Sequence, residues 1–128
     1  MKFLVKCIPL FMLTFTAVVW ADSTLIGKTL EIKYPGGYVY EVTYKPNTLI
    51  WKATSGPELG RTEENKYDWI KVKEGSYLVR WRESDGVIVH SLINLKEKTV
   101  FSSILQAEFY DYLLGTITIL TNEIKNKG

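Results

Sequence analysis

The chain has 128 residues, enough for one domain and too few for two with separate cores. Its 16 basic and 14 acidic side chains give a formal charge of +2, and the excess lies in Lys2 and Lys6. Beyond residue 21 the charges balance, leaving no long-range field to hold a polyanion, which argues against nucleic acid as a partner.

The first 21 residues read as an export signal. Lys2 and Lys6 form a short basic region, Cys7–Val19 is an almost unbroken apolar run, and Val19-Trp20-Ala21 offers small residues at the positions that govern cleavage. The run is shorter than the roughly 20 residues needed to span a bilayer, and no later segment could cross one. The expected product is a secreted, periplasmic protein with residues 22–128 as its single domain. The lone cysteine, Cys7, leaves with the signal, so no disulfide, thiolate nucleophile or sulfur ligand is expected in the mature chain. With one histidine, His90, a transition-metal site is not expected either, nor any cofactor.

From Leu25 onward the apolar pattern has period two, broken by turns, with no helical stretch. Lys28–Tyr34 places Leu30, Ile32 and Tyr34 on one face, and Pro35-Gly36-Gly37 turns the chain. Tyr38–Tyr44 and Thr48–Ser55 follow, separated by Pro46-Asn47, before a longer loop, Gly56–Arg61. The later strands read as Tyr67–Val72, Tyr77–Glu83, Val87–Asn94, Thr99–Leu105 and Tyr112–Thr121, with Asp85-Gly86 as a hairpin signal. Eight strands joined mostly by short turns make an antiparallel meander, and closing it removes exposed edges. The expected fold is therefore all-β, an eight-stranded antiparallel meander barrel of the calycin or lipocalin kind, with a sandwich as the alternative. Barrels of this strand number hold packed side chains or one small ligand.

Glu83 is the most informative residue. It continues the phase of Tyr77, Val79 and Trp81, so alternation turns a carboxylate toward the interior, where it needs a partner or a wet cavity. Arg61, at the end of the loop, is a candidate partner; the alternative is that Glu83 reaches solvent at its strand's end. Tyr34, Tyr38, Tyr40 and Tyr44 share one phase across the first hairpin. Their apolar bodies and polar tips suit a pocket, though cross-strand aromatic pairs also stabilise a sheet in their own right. Lys71, Lys73, Arg80 and Arg82 read as a solvated face, and His90 as structural.

The ordered set Gly27-Lys28, Tyr34, Gly37–Glu41, Ser55-Gly56, Gly60-Arg61, Glu74–Tyr77 and Trp81-Arg82-Glu83 resembles bacterial phenolic acid decarboxylases over Leu25–Ile104. With a leader and a shorter C-terminus, the pattern resembles the small secreted MoaF-like domains of the same calycin group. The resemblance implies a cofactor-free barrel with an interior site. In the decarboxylases two tyrosines hold the substrate carboxylate while an arginine and a glutamate complete the site. Here the second tyrosine matches Tyr34, the arginine Arg61 and the glutamate Glu83, but the first tyrosine falls on Ile32. Isoleucine donates no hydrogen bond, and losing one donor to a developing charge costs orders of magnitude in rate.

Three functions follow as expectations. The first is binding, without catalysis, of a small apolar or aromatic carboxylate ligand, with Tyr34, Tyr38, Tyr40, Trp51, Arg61, Trp81 and Glu83 as its site. The second is a decarboxylase-like lyase using Glu83, Arg61 and Tyr34. The third is a periplasmic interaction or inhibitor module, marked by a filled core and an exposed aromatic patch.

Overall fold

The structure, a computed structural model, describes residues 24–122; the leader expected over residues 1–21 and the tail after Asn122 lie outside the described residues. Eight strands follow in chain order: β1 (Lys28–Lys33), β2 (Val39–Tyr44), β3 (Thr48–Ser55), β4 (Thr62–Lys73), β5 (Ser76–Arg82), β6 (Ile88–Asn94), β7 (Thr99–Gln106) and β8 (Phe109–Asn122). Each pairs antiparallel with its neighbours in sequence, and β1 pairs with β8 to close the barrel. Among the described residues no helix is long and apolar enough to cross a membrane.

Closure converts the period-two pattern into an inside and an outside. Leu30, Ile32, Val42, Tyr44, Leu49, Trp51, Ala53 and Val79 are all buried, in the phases their strands announced, and Ile93 and Val100 fix the inward faces of β6 and β7. In a meander alternate turns gather at the same end. At one end Leu25, fully buried ahead of β1, joins Leu49, Tyr77, Ile93 and Leu95 in a continuous core. Tyr44 and Tyr67 meet there with ring centroids 5.9 Å apart, and Tyr67 Oη donates to the Lys45 carbonyl at 2.7 Å. Lys28 is also buried, and its ammonium donates to the Thr24 carbonyl at 2.5 Å. The opposite end collects the turns at 34–38, 56–61, 83–87 and 107–108 and is not filled.

Two strands begin earlier than the sequence pattern indicates. β4 starts at Thr62 rather than near Tyr67, and β8 at Phe109 rather than Tyr112. The opening of β4, Thr62-Glu63-Glu64-Asn65, has no apolar residue, so its alternation of in and out is invisible to a hydrophobic pattern. The β7–β8 turn is Ala107-Glu108, with Ala107 at φ 52°, a left-handed position occupied without glycine or asparagine to signal it.

The added length of β4 sets the shape of the barrel. Residues Thr62–Lys66 pair with β3, whereas Tyr67–Lys73 pair with β5. Above the Tyr67–Trp81 pair, β4 and β5 therefore diverge. The Glu63 carboxylate spans the gap, accepting from Ser84 N at 3.0 Å and from Ser84 Oγ at 2.5 Å.

Lys71, Lys73, Arg80 and Arg82 are exposed as expected, with Lys71 paired to Glu74 at 2.8 Å and Arg80 to Asp68 at 3.2 Å. His90 also faces outward, opposite Arg80 and Ser103. Beside them runs a row the sequence reading did not pick out. Ile70, Leu78, Leu92, Phe101 and Leu114 are direct cross-strand partners over five strands, and all are exposed.

The closed end carries the stability. Leu49→Ala, at a fully buried position, is expected to cost about 2–5 kcal/mol through lost burial and the cavity left behind. Urea unfolding checks this; a loss below ~1 kcal/mol would mean that this end repacks freely.

Candidate ligand-binding site

The open end of the barrel encloses a cavity of about 440 Å³. Tyr34, Tyr38, Tyr40, Trp51, Arg61, Trp81 and Glu83 all line it, so the structure brings together every residue of the expected site. A wider depression of about 840 Å³ lies on the outer wall around Lys66, Asp68, Arg80, Arg82 and His90. Its lining mixes these charged groups with Asn47, Thr48, Tyr67, Trp81 and Ile88, whereas the interior cavity gathers aromatic walls beneath a polar mouth.

The floor is a chain of hydroxyls. Tyr34, just beyond β1, reaches over β8 to β7, so that its Oη lies 2.7 Å from Ser102 Oγ, and Ser102 Oγ lies 2.7 Å from Ser91 Oγ. Both serines are almost wholly buried, and burial pushes the Tyr34 phenol above its ordinary range. Room for the ring comes from Gly115 on β8. A Cβ there would stand 2.9 Å from the Lys33 carbonyl and 2.9 Å from Tyr34 Cδ1. Ile32 and Val42 add apolar wall, and Ile32 takes the place where the resemblance calls for the first of its two tyrosines.

The side walls are aromatic. Tyr34 and Tyr40 meet edge-on with centroids 6.1 Å apart, and Tyr40 meets Trp51 in the same way at 6.0 Å. Trp51 is fixed by its indole N–H, which donates to Asn65 Oδ1 at 3.0 Å; Asn65 Nδ2 in turn donates to Glu63 Oε1 at 3.1 Å. Asn65 and Glu63 share the inward phase of Tyr67, and extending that strand's alternation backward is the signal that would have found them. Tyr38 stands at the rim, more than a third exposed, and Tyr44, of the same phase, belongs to the closed end.

The mouth is polar and mostly acidic. Glu58, Arg61, Glu83, Asp85 and Asp111 contribute to the lining, four carboxylates to one guanidinium. Glu58 and Asp85 lie in segments read from the sequence only as turns, and Asp111 and Phe109 in a strand read as starting later. Arg61, the candidate partner of Glu83, makes its ion pairs elsewhere. Arg61 Nη1 meets Glu58 Oε2 at 2.6 Å, and its Nη2 lies 3.5 Å from Glu63 Oε2 and 3.8 Å from Asp85 Oδ2. The guanidinium carbon also stands 5.1 Å from the Trp51 ring centre, a cation–π position. The loop geometry explains the choice: Arg61 N donates to the Glu58 carbonyl, so both side chains rise from one tight turn. That turn rests on the first hairpin, since a Cβ at Gly56, which has φ +94°, would stand 2.7 Å from the Gly37 carbonyl. Glu58 further accepts from Tyr40 Oη at 2.5 Å.

Glu83 does face inward. Its carboxylate accepts from the Trp81 indole N–H at 3.3 Å, and among the described residues no lysine or arginine comes within ion-pair distance of it. Burial raises its pKa to about 7, with the nearby Asp85 and Glu63 charges adding to the rise and Arg61 and the Trp81 bond opposing it. Glu63 is held below the usual carboxylate range by its two bonds from Ser84.

A family model described as MoaF-like matches residues 26–118, which is most of the chain and all of the cavity lining. The chain belongs to the MoaF-like family. Among solved structures, this MoaF-like barrel is similar to a crystal structure from Burkholderia vietnamiensis provisionally described as a β-lactamase. The two share 25% identity with a TM-score of 0.71, covering 75% of this chain and 95% of that one. No curated protein matches the chain.

The raised Glu83 pKa has a consequence for stability. Its proton is held more tightly in the folded state than in the unfolded one, so its contribution is fully favourable below about pH 4.5 and is lost as pH climbs to about 7. Glu83→Gln is therefore expected to raise the unfolding midpoint relative to the parent at pH 8 and to leave it nearly unchanged at pH 4.5. Equal effects at both values would show that Glu83 is freely solvated.

Proposed function

We propose that this MoaF-like barrel is an exported binding protein that holds one small, largely aromatic or apolar molecule in its open end, without transforming it. One observation carries the reading: the barrel is filled at the Leu25 end and hollow at the other, and the hollow is lined by aromatic rings with a few polar groups at its mouth. Its volume of about 440 Å³ falls within the roughly 300–1,000 Å³ range of small-molecule pockets. The leader-like residues 1–21 support export of the domain.

The chemistry of the lining supports binding over turnover. Ser102 bonds both to Ser91 and to Tyr34, so the two serines at the floor share their hydroxyl hydrogens with each other and with a phenol rather than with a lysine, histidine or carboxylate. Where a decarboxylase-like site would have the first of its two tyrosine donors, Ile32 presents hydrocarbon. Among the described residues no group of histidines, cysteines and acids is arranged to hold a metal ion.

A second reading, docking to another protein through the outer wall, is favoured by the exposed row from Ile70 to Leu114 and by the stacked Phe101 and Tyr112 rings, 5.6 Å apart. Leu92→Asp with Phe101→Asp removes that row and leaves the cavity intact, which separates the two readings in any functional assay.

Trp51 and Trp81 report directly on occupancy of the cavity. Aromatic ligands are expected to change tryptophan emission and, at a hundred times their dissociation constant, to stabilise the fold by about 2.7 kcal/mol. For a domain of this size that raises the midpoint by more than ~10 °C. Ile104→Trp, which projects a larger ring into the cavity from β7, should narrow it and weaken both effects. Binding that is unchanged by this substitution would place the ligand elsewhere.

A further inference from the structure

We infer that the ligand's head group is a cation: the cavity takes an amine or quaternary ammonium compound with an aromatic or apolar body, seated with its charge beside Glu83. This rests on the binding reading above and names the chemical class that the same site selects.

The balance of charge at the mouth is the first observation. Glu58, Glu83, Asp85 and Asp111 line it against Arg61 alone. The guanidinium of Arg61 is already answered, by Glu58 at 2.6 Å and by Glu63 and Asp85 within 4 Å. An incoming carboxylate would have to displace Glu58 from that contact and then stand among the remaining acids as a like charge. An incoming cation meets no such competition, and a cleft lined by one sign of charge concentrates the opposite sign.

The walls are the second, independent observation. The protein's own cation already sits 5.1 Å from the Trp51 ring centre with carboxylates around it, so the mouth demonstrably holds positive charge against an aromatic face. Trp81, Tyr40 and Tyr34 present further rings to the cavity. Carboxylate and ring faces together are what desolvated ammonium groups require.

Glu83 supplies the seat. It is the inward acid with only the Trp81 indole N–H as a side-chain hydrogen bond, leaving acceptor capacity free toward the cavity. The charged groups that act on it are Asp85 on its own hairpin, Glu63 from β4 and Arg61 from the β3–β4 loop, with Tyr40 facing it from β2. A cation beside it favours the ionised form, so binding of an amine must release the proton that Glu83 holds near pH 7. Amine affinity should therefore rise with pH, whereas affinity for an acid would fall.

The test compares three probes with one ring and different charge, 2-phenylethylamine, 2-phenylethanol and 3-phenylpropanoate, by titration calorimetry on the purified protein at pH 6 and pH 8. The amine is expected to bind at least tenfold tighter than the alcohol at pH 8, with the acid weakest. Its dissociation constant should fall about tenfold from pH 6 to pH 8, as Glu83 passes from mostly protonated to mostly ionised. In Glu83→Gln the amine should drop to the level of the alcohol, whose own binding shows that the cavity is intact. Asp111→Asn, a milder change at the exposed rim, should weaken only the amine. If the acid or the alcohol binds as tightly as the amine, or amine affinity falls with pH, the cationic class is overturned while the binding reading stands. If none of the three binds, both fall together.

Discussion

The upper half of the barrel depends on where β4 leaves β5. Backbone pairing between them ends at Tyr67–Trp81, and beyond that point the ladder bonds that would draw the walls together are absent. Glu63 replaces them with side-chain bonds to Ser84, which hold the two segments at a distance set by a carboxylate rather than by a sheet. The same carboxylate takes the Asn65 amide, and Asn65 fixes Trp51. One polar bridge thus keeps the mouth open, orients its largest ring and helps to place Arg61.

The two ends of the barrel solve opposite problems with one alternating pattern. At the Leu25 end large apolar side chains meet across the axis and exclude water. At the open end the inward positions are aromatic or ionisable, and the polar atoms find partners: among the described residues no buried side-chain nitrogen or oxygen lacks one. The floor, Tyr34–Ser102–Ser91, separates the two regimes. It satisfies three hydroxyls among themselves, so the cavity does not need water at its base. Gly115 is the price of this floor, since only a residue without a side chain lets the Tyr34 ring cross there.

Arg61 shows how a local turn can override a longer-range expectation. Alternation pointed Glu83, and the family resemblance both Glu83 and Arg61, toward one cavity, and both residues do reach it. The ion pair forms instead with Glu58, three residues away in the same tight turn, because that contact needs no loop to be ordered against another. Glu83 is left as a carboxylate among carboxylates, and burial with like charge raises its pKa. The site's electrostatic character therefore differs from what the residue types alone imply.

Strand order and the inward phase of Leu30, Tyr40, Trp51 and Trp81 were legible in the sequence, because side chains alternate strictly along a strand and burial sorts them by polarity; Glu83 shares that phase, but at its strand's end the pattern left solvent as the alternative. The antiparallel meander followed from turn length alone. Hydrophobic alternation could not show the start of β4, where both faces are polar, or the Ala107-Glu108 turn, which carries no turn residue. Nor could it show that one end is filled and the other hollow. That depends on how rings from non-adjacent strands meet across the axis, and on the point at which β4 exchanges one partner for another. Periodicity assigns each residue a side; only closure in three dimensions decides which residues face one another and how much space is left between them.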